Sequence, residues 1–576
     1  MLSDLFLLPE ERANPHTRVD AVHGPGVAWS TGNVVRPLVH GATYFAELHE
    51  RLSATGPGDL VLFADWRGDP DQQLTDDPAA TLGATLAAAA RRGAEVRGLL
   101  WRSHWRRFGF HSEKSWELAA RVNEAGGQCL RDMRVAPGGS HHQKLVVIRH
   151  AVGPEDDIAY VGGIDLCHSR RDTADHRGDT QVIPMPRVFG PTPGWHDVQC
   201  AVQGPAVHDL ETTFRERWDD TTPLTSNPGR FASSRLQGED LDPRPLPEQA
   251  PPPPSPEGAH EAVQVMRTYP ALLAKGFDFA PHGERSVARG NGKAVRSARR
   301  LIYLEDQYLW SEEVGRHFGE ALRENPDLHL VAVIPIVPDV DGAVSLPPQL
   351  WGRKLAMDLL LEAGGDRVAL FGLTSPTGYP VYVHSKVCII DDVWASVGSD
   401  NFNRRSWTND SEVSVAVMDD RGTEGGAAPD TFALRLRREL VAEHTGLDPE
   451  DVPDDPDELW DLLGRTADAL DAWYGDGGPS RGRVHVPRPR APLRGTAVRW
   501  RRRSAPAAGS AASERPPGRL RRIGPPELTR AQALWAPRLY DVFDPNGTLG
   551  ADDGLPPVDS PDDGPGDGAP AVAADR

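Results

Sequence analysis

A chain that repeats one unusual segment is constrained to fold as two copies of one unit, and this 576-residue sequence carries such a repeat. Residues 141–172 read HHQKLVVIRHAVGPEDDIAYVGGIDLCHSRRD, and residues 383–412 read VHSKVCIIDDVWASVGSDNFNRRSWTNDSE. Each segment holds His-x-Lys, an apolar run, and a glycine-led turn that ends in a small polar group. The pairs stand out because lysine is scarce: only six of the 63 basic residues are Lys, and two of those six sit two places after a histidine. None of the other histidines begins a His-x-Lys.

The same order of elements surrounds each copy. Strand-like DLVLFADW (59–66), helix-like 79–93, strand-like EVRGLLW (95–101) and helix-like 113–127 lead to a short strand near Cys129 and the first His-x-Lys. A strand ending in IYLEDQYLW, a helix over 312–325, LHLVAVIPI, a helix near 347–363 and RVALFGL lead to the second. Strands alternating with helices predict α/β layers on a largely parallel or mixed sheet. The halves are expected at 1–222 and 259–475, joined by a proline-rich linker, 223–258, that ends in EQAPPPPSPEG. A tail, 476–576, is expected to be largely disordered: 481–522 carries thirteen Arg with Glu514 as its only acid, and the last residues are acidic and rich in Pro and Gly.

Residues i and i+2 of an extended strand point to one side, so His142 projects with Lys144 and His384 with Lys386. If the halves pack about a pseudo-twofold axis, two imidazoles and two ammonium groups meet in one pocket. That set suits an anionic phosphodiester: one imidazole attacks phosphorus, the other protonates the leaving oxygen, and the lysines hold the non-bridging oxygens.

The second copy reads His384-x-Lys386, then Asp391, Gly398, Ser399 and Asn401, and closely resembles the HxKxxxxD…GSxN signature of the phospholipase D superfamily. VQVMRTYP (263–270), IYLEDQYLW (302–310), GGIDLCHSRRDT (162–173) and WHDVQCAVQGPAVHDLETTFRERW (195–218) extend the resemblance to roughly 40–220 and 260–445. It implies a duplicated pseudo-twofold α-β-α sandwich with one shared site. His142 would be the nucleophile, through a covalent phosphohistidine, and His384 the acid. Lys144, Lys386, Asp391, Asn401 and Glu412 would complete the catalytic set, with Glu412 orienting a histidine. Gly163, Asp165, Gly398 and Ser399 would line the phosphate. Asp172 or Asp175 would support His142 by analogy with Glu412. The resemblance implies no metal and no cofactor.

The first copy departs from the signature. Arg149 stands at the Asp position, His142 precedes Gly162 by 20 residues where His384 precedes Gly398 by 14, and the turn reads Gly162-Gly163-Ile164-Asp165. Asp156 or Asp157 is a candidate replacement for the lost Asp. Some residues stay open between pocket and scaffold: His141, His196, Glu305 and Gln307, with the Trp/Arg-rich 101–110 and the Arg-rich tail as lipid contacts or solvated faces.

Function is expected to be a phospholipase D-type hydrolase of glycerophospholipids, with transphosphatidylation where an alcohol replaces water. A cardiolipin synthase-like phosphatidyltransferase, a nuclease and a catalytically weak phospholipid-binding protein are the alternatives. The net charge of −20 argues against nucleic acid as partner. The four widely spaced cysteines argue against a disulfide framework. The start, MLSDLFLLPEERANPH, lacks the basic region and apolar core of a signal peptide, and no window offers the ~20 apolar residues of a membrane span. The expectation is a cytoplasmic monomer acting on phospholipid at a membrane surface, possible peripheral attachment included.

Overall fold

The computed structural model describes residues 2–103, 112–225, 227–236, 238–272, 275–421, 430–475 and 514–545. One mixed sheet runs through them. At its middle, Ser30–Val39 pairs antiparallel with Glu261–Tyr269, through Ser30 opposite Val263 and Asn33 opposite Glu261, with a register shift between. Outward on one side follow Val198–Gln203, Ile158–Gly162, Leu145–Arg149, Leu60–Asp65, Glu95–Trp101 and Gln128–Asp132. Outward on the other follow Glu412–Asp419, Trp394–Gly398, Val387–Ile390, Leu301–Glu305, His329–Val333 and Val368–Leu373. The two series match member for member, which gives the duplicated pseudo-twofold sandwich.

Connection length explains the mixture of directions. The inner strands are antiparallel neighbours. The outer three in each half are parallel, because helices carry the chain back between them: Leu82–Arg91 and Ser112–Glu124 in the first half, Glu312–Glu324 and Leu346–Gly364 in the second. Strands such as Leu60–Asp65 and Val387–Ile390 are buried at every residue, as their unbroken apolar runs require of a sheet covered on both faces. Thr81, Ser311 and Thr431 cap the helices that follow them by accepting from Ala84, Val314 and Leu434 N–H.

The helices make the outer layers. On one face Ala206–Trp218 and Phe432–Thr445 cover a core that crosses both halves, where Phe214, Trp218, Val263, Val415 and Leu440 share one cluster. On the other face each half keeps its own core, around Phe45, Leu86 and Leu118 in the first and Phe318, Met357 and Trp407 in the second. The shared core makes the halves one body.

The proline-rich linker stays on the first half. Arg215 donates to the Pro247 carbonyl at 2.7 Å, Trp218 Nε1 to the Arg244 carbonyl at 2.9 Å, and Arg149 to the Pro251 carbonyl at 2.7 Å. It also contains a helix, Pro228–Leu236.

Part of the expected tail belongs to the fold. Leu520–Arg522 pairs antiparallel with the edge strand Val368–Leu373, and the helix Arg530–Phe543 packs on Leu346–Gly364, where a Cβ on Gly352 would stand 2.3 Å from the Tyr540 ring. The expectation of disorder fails over 514–545. The strand with buried Leu520 covers a sheet edge that would otherwise be open, and the helix capped by Thr529 covers Leu346–Gly364. The remainder of the tail, and the Trp/Arg stretch over 104–110, lie outside the described residues. Among the described residues the four cysteines are buried and unpaired, and no helix is long and apolar enough to cross a membrane.

Candidate active site

Each His-x-Lys sits just ahead of a ladder strand, in extended chain rather than within the strand itself. Its backbone pairs instead with the other half. His142 N–H donates to the Ser411 carbonyl at 2.9 Å and Ser411 N–H to the Ser140 carbonyl at 3.0 Å. Likewise His384 N–H donates to the His196 carbonyl at 2.7 Å, and Val381–Val383 pairs in parallel with Gly194–His196. Each motif is therefore stitched to the opposite half by main-chain bonds.

The imidazoles are oriented the same way. His142 Nδ1–H donates to Glu412, at 3.0 and 2.9 Å from its two oxygens, and His384 Nδ1–H donates to Asp197 Oδ2 at 2.7 Å. Glu412 begins the strand whose Ser414 faces Gly398, and Asp197 precedes the strand whose Gln199 faces Gly162, so the two carboxylates are symmetry mates. The pairing crosses over: a carboxylate from each half holds the histidine of the other. This corrects the expectation that Asp172 or Asp175 supports His142, because Glu412 orients that ring. Asp172 accepts from the Trp195, Thr173 and Gly178 N–H groups and faces His176 Nδ1 at 3.4 Å. The Asp175 side chain stands beside Arg177, in solvent.

Both carboxylates are fully buried. Burial pushes Glu412 well above the usual carboxylate range and raises Asp197. Burial also drives His142 well below the ordinary imidazole value, with Lys144 adding to it, and does the same to His384, with Lys386 and Arg170 adding to it. Lys386 also depresses His142 and Lys144 depresses His384, so the four groups share one electrostatic neighbourhood. Each imidazole is thus held as a free base, with Nδ1–H on a carboxylate and the Nε2 lone pair open.

The lysines are buried too. Lys144 Nζ donates to the His142 carbonyl at 3.0 Å and pairs with Asp165 Oδ1 at 2.9 Å. Lys386 Nζ donates to the His384 carbonyl and lies 3.4 Å from Gln307 Oε1; burial pushes it down to about 8. Burial works to raise Asp165, but Lys144, Arg170 and both histidines outweigh it and hold it well below the carboxylate range. Arg170 donates to Asp165 at 3.1 and 2.5 Å and lies 4.0 Å over the Trp195 ring, itself 4.9 Å from the His384 ring. Asn401, the mate of Asp165, is buried with Oδ1 unpartnered. Trp66 flanks the other side, 6.4 Å from the His142 ring.

The glycines are required by close approach. A Cβ on Gly163 would stand 2.1 Å from Asp197 Oδ1, and one on Gly398 1.8 Å from Ser414 Oγ. Ser399 is committed to the scaffold: its hydroxyl donates to Glu412 at 2.5 Å and accepts from Val413 N–H at 3.0 Å.

Asp391 lies at the far end of its strand. It accepts from the N–H groups of Arg299, Arg300 and Leu301 at 2.7, 2.7 and 2.8 Å, which fixes the start of the neighbouring strand. It sits with Asp392 in a left-handed turn, φ 51° and 57°, that Asp tolerates. At the matching place Arg149 reaches Asp157 at 2.6 Å, Glu211 at 2.5 Å and the Pro251 carbonyl. The Asp-to-Arg change leaves His142 and Lys144 in place and anchors the linker. Asp157 serves Arg149 and the His150 N–H. Asp156 lies in the short helix Pro154–Asp156 of the inserted loop.

Of the residues left open, Gln307 faces Lys386 and donates to Tyr382 Oη at 2.7 Å. Glu305 is a buried strand end, bonded to His196, His444, Tyr303 and Ser385. His141 is buried with both ring nitrogens unpartnered. Asp197, Arg170 and Trp195 were not singled out from the sequence, yet a signal existed: DVQCAV (197–202) parallels EVSVAV (412–417).

Comparison with known proteins agrees with this geometry. Residues 58–333 match the family model described as Phospholipase D, and residues 348–425 match that described as Cardiolipin synthase, PLD-like domain. Phospholipase D gamma 2 of Arabidopsis thaliana is 25% identical over 496 residues, covering 64% of this chain and 58% of the relative. Phospholipase D beta 1 of the same plant is 26% identical over 483 residues, covering 63% of this chain and 44% of the relative. The chain thus spans about half the length of these curated relatives. Phosphatidylserine synthase of Haemophilus influenzae Rd KW20 superposes with a TM-score of 0.46 at 11% identity, over 75% of this chain and 93% of that one. The paired motifs and both family matches establish that the chain belongs to the phospholipase D superfamily of phosphodiesterases and phosphatidyltransferases.

Proposed function

We propose that this chain is a phospholipase D-type enzyme that cleaves the distal phosphodiester of glycerophospholipids, giving phosphatidic acid and the headgroup alcohol. The observation that carries the proposal is the pair of free-base imidazoles, each held at Nδ1 by a buried carboxylate of the opposite half and flanked by two lysines. His142 Nε2 attacks phosphorus as the free base. His384 takes a proton from solvent onto Nε2 as the anionic phosphodiester enters and offsets the charge of the lysines, and delivers that proton to the departing oxygen as the P–O bond to the headgroup breaks. His384, now a base, takes a proton from water, whose oxygen displaces His142 and releases phosphatidic acid. Lys144 and Lys386 hold the non-bridging oxygens while charge develops.

The relatives' names support a phospholipid substrate, and the cardiolipin synthase-like match over 348–425 favours a second outcome, transfer to an alcohol from the same intermediate. Arg149, at the far end of its strand, argues against an inactive binding protein, and the net charge of −20 argues against a nuclease. The enzyme would act as a monomer at the membrane surface.

The test is phosphatidic acid release from mixed phospholipid vesicles with ethanol present, comparing the parent with His142→Ala and His384→Ala. The proposal expects phosphatidic acid or phosphatidylethanol from the parent and neither from the variants. An inert parent, or a parent that cleaves only nucleic acid, overturns it. Radiolabel from the phosphate trapped on His384 rather than His142 reverses the roles.

A further inference from the structure

Behind the His384–Asp197 pair lies a second cluster of buried histidines that the proposed chemistry does not use. His40 ends the strand Ser30–Val39 at φ 69°, and its N–H donates to the Asp197 carbonyl at 2.9 Å. His176 lies in the loop after Asp172, and His196 immediately precedes Asp197. The three rings stand edge-to-face, with centroids 5.0, 5.1 and 5.7 Å apart. Glu443, from the helix Phe432–Thr445 of the other half, points a carboxylate among them: Oε2 is 2.6 Å from His40 Nε2, and Oε1 is 2.7 Å from His176 Nε2 and 3.3 Å from His196 Nδ1. Ligand-capable atoms of all four residues lie within 4.8 Å of one another.

The outer partners determine what those atoms present. Glu305 Oε2 takes the Nε2–H of His196 at 2.7 Å, and Asp172 Oδ2 faces Nδ1 of His176 at 3.4 Å. With the proton on the outer nitrogen, His176 and His196 each aim a lone pair at the Glu443 carboxylate, and His40, whose Nδ1 is buried without a hydrogen-bond partner, faces it through Nε2. His196 Nδ1 is buried without a hydrogen-bond partner, although a carboxylate oxygen stands 3.3 Å away. The Glu443 carboxylate at the centre calls for positive charge between it and the rings, which shared protons or one metal ion supply. Two of the three imidazoles, His176 and His196, are backed by carboxylates while facing one centre, the arrangement of a histidine metal site in which the outer acid fixes the tautomer. A tetrahedral zinc with Zn–N of about 2.0 Å has ligand–ligand edges of about 3.3 Å, so the 2.6 and 2.7 Å contacts would open by about 0.6–0.7 Å and the wider pairs, all within 4.8 Å, would close.

We propose that His40, His176, His196 and Glu443 bind one Zn²⁺ ion in a closed, structural site that clamps the two halves together behind His384. This departs from the expectation, drawn from the family resemblance, that no metal is present. Three imidazoles and a carboxylate suit zinc among the first-row ions, and four protein ligands leave no open position for substrate, so the ion takes no part in the reaction. Its charge is offset by Glu443, Glu305 and Asp172, with Arg519 Nε 4.0 Å from Glu443 Oε1 on the cationic side. The ion fixes the segment 194–197, whose His196 carbonyl accepts from His384 and Ser385 N–H and whose Asp197 orients His384.

The experiment is elemental analysis of the full chain purified without immobilised-metal chromatography, before and after chelation and refilling with Zn²⁺, with Co²⁺ substitution read by its visible absorption. The proposal expects about one metal per chain, a tetrahedral Co²⁺ spectrum, and a Zn²⁺-dependent rise in the thermal midpoint. His176→Ala and Glu443→Gln should lower the affinity for Zn²⁺ at least about tenfold, while His142→Ala keeps the parent stoichiometry. A parent that holds less than about a tenth of an equivalent of any first-row metal, both as purified and after incubation with Zn²⁺, overturns the proposal. That result stands whether or not the variants fold, and it assigns the cluster to shared protons. Loss of metal in His142→Ala but not in His176→Ala overturns it as well.

Discussion

Glu412→Gln tests the crossed pairing of carboxylate and histidine. Glu412 accepts from two donors, His142 Nδ1–H at 2.9–3.0 Å and the Ser399 hydroxyl at 2.5 Å. The Ser399 oxygen already accepts from Val413 N–H, so its proton must go to residue 412. A glutamine has one carbonyl for these two demands. If that carbonyl satisfies Ser399, the amide N–H₂ faces His142 Nδ1 and forces the proton onto Nε2, the atom that must attack phosphorus. A wrong tautomer in a His–carboxylate pair costs about 10³–10⁴ in kcat, equivalent to about 4–5.5 kcal/mol of barrier. Because the loss falls on the chemical step, KM should move by less than about threefold. The assay is initial-rate phosphatidic acid release against lipid concentration, with the thermal midpoint of the variant as a control for folding. A folded variant that keeps more than about a tenth of the parent kcat refutes the reasoning, because Glu412 would then be a packing residue with no hold on the tautomer.

Three further outcomes are expected. Arg149→Asp, which restores the signature residue, sets a carboxylate against buried Asp157 and Glu211 and strips the linker's Pro251 of its donor; it should cost about 3–5 kcal/mol of stability, read as a lower thermal midpoint, with kcat per folded molecule unchanged. Lys386, pushed down to about 8 by burial, is charged below that pH and neutral above it. Lysine assistance is therefore lost as pH rises through about 8, kcat/KM should fall there, and Lys386→Arg should move that limb upward. A chain ending before residue 514 uncovers the edge strand Val368–Leu373 and the face of Leu346–Gly364 that Tyr540 covers; it should show a lower thermal midpoint and concentration-dependent aggregation by light scattering.

The duplication was legible because its chemistry needs rare residues at fixed spacing. Two His-x-Lys pairs among six lysines identify the halves before any element is assigned, and the strand order follows from apolar runs separated by helix-length segments. The partner of each histidine was not legible in the same way. Analogy with Glu412 along the chain points to Asp172 or Asp175, but side-chain partners are set by sheet register. Gln199 sits opposite Gly162 as Ser414 sits opposite Gly398, and two places earlier stand Asp197 and Glu412. Reading DVQCAV against EVSVAV would have carried the acid to the right residue. The edge strand Leu520–Arg522 was hidden by its arginine-rich flanks, whose composition resembles that of a disordered tail.

Register also explains why one chain carries both copies. The motif in each half needs a backbone acceptor and a side-chain acceptor, and both come from the other half: Ser411 carbonyl and Glu412 for His142, His196 carbonyl and Asp197 for His384. A single half would present its histidine with neither, so a buried imidazole would lack a partner to fix its tautomer. Fusing the copies fixes their stoichiometry and lets them diverge, and the divergence is visible. Asn401 stands where the first half has Asp165, Ser399 where it has Gly163, and Asp391 where it has Arg149. Each change falls where the two halves meet different neighbours: Arg149 takes up a linker that only the first half has beside it, and Asp165 serves Lys144 and Arg170 together. The residues held in common, His, Lys and the crossed acid, are those that a two-imidazole displacement at phosphorus needs twice.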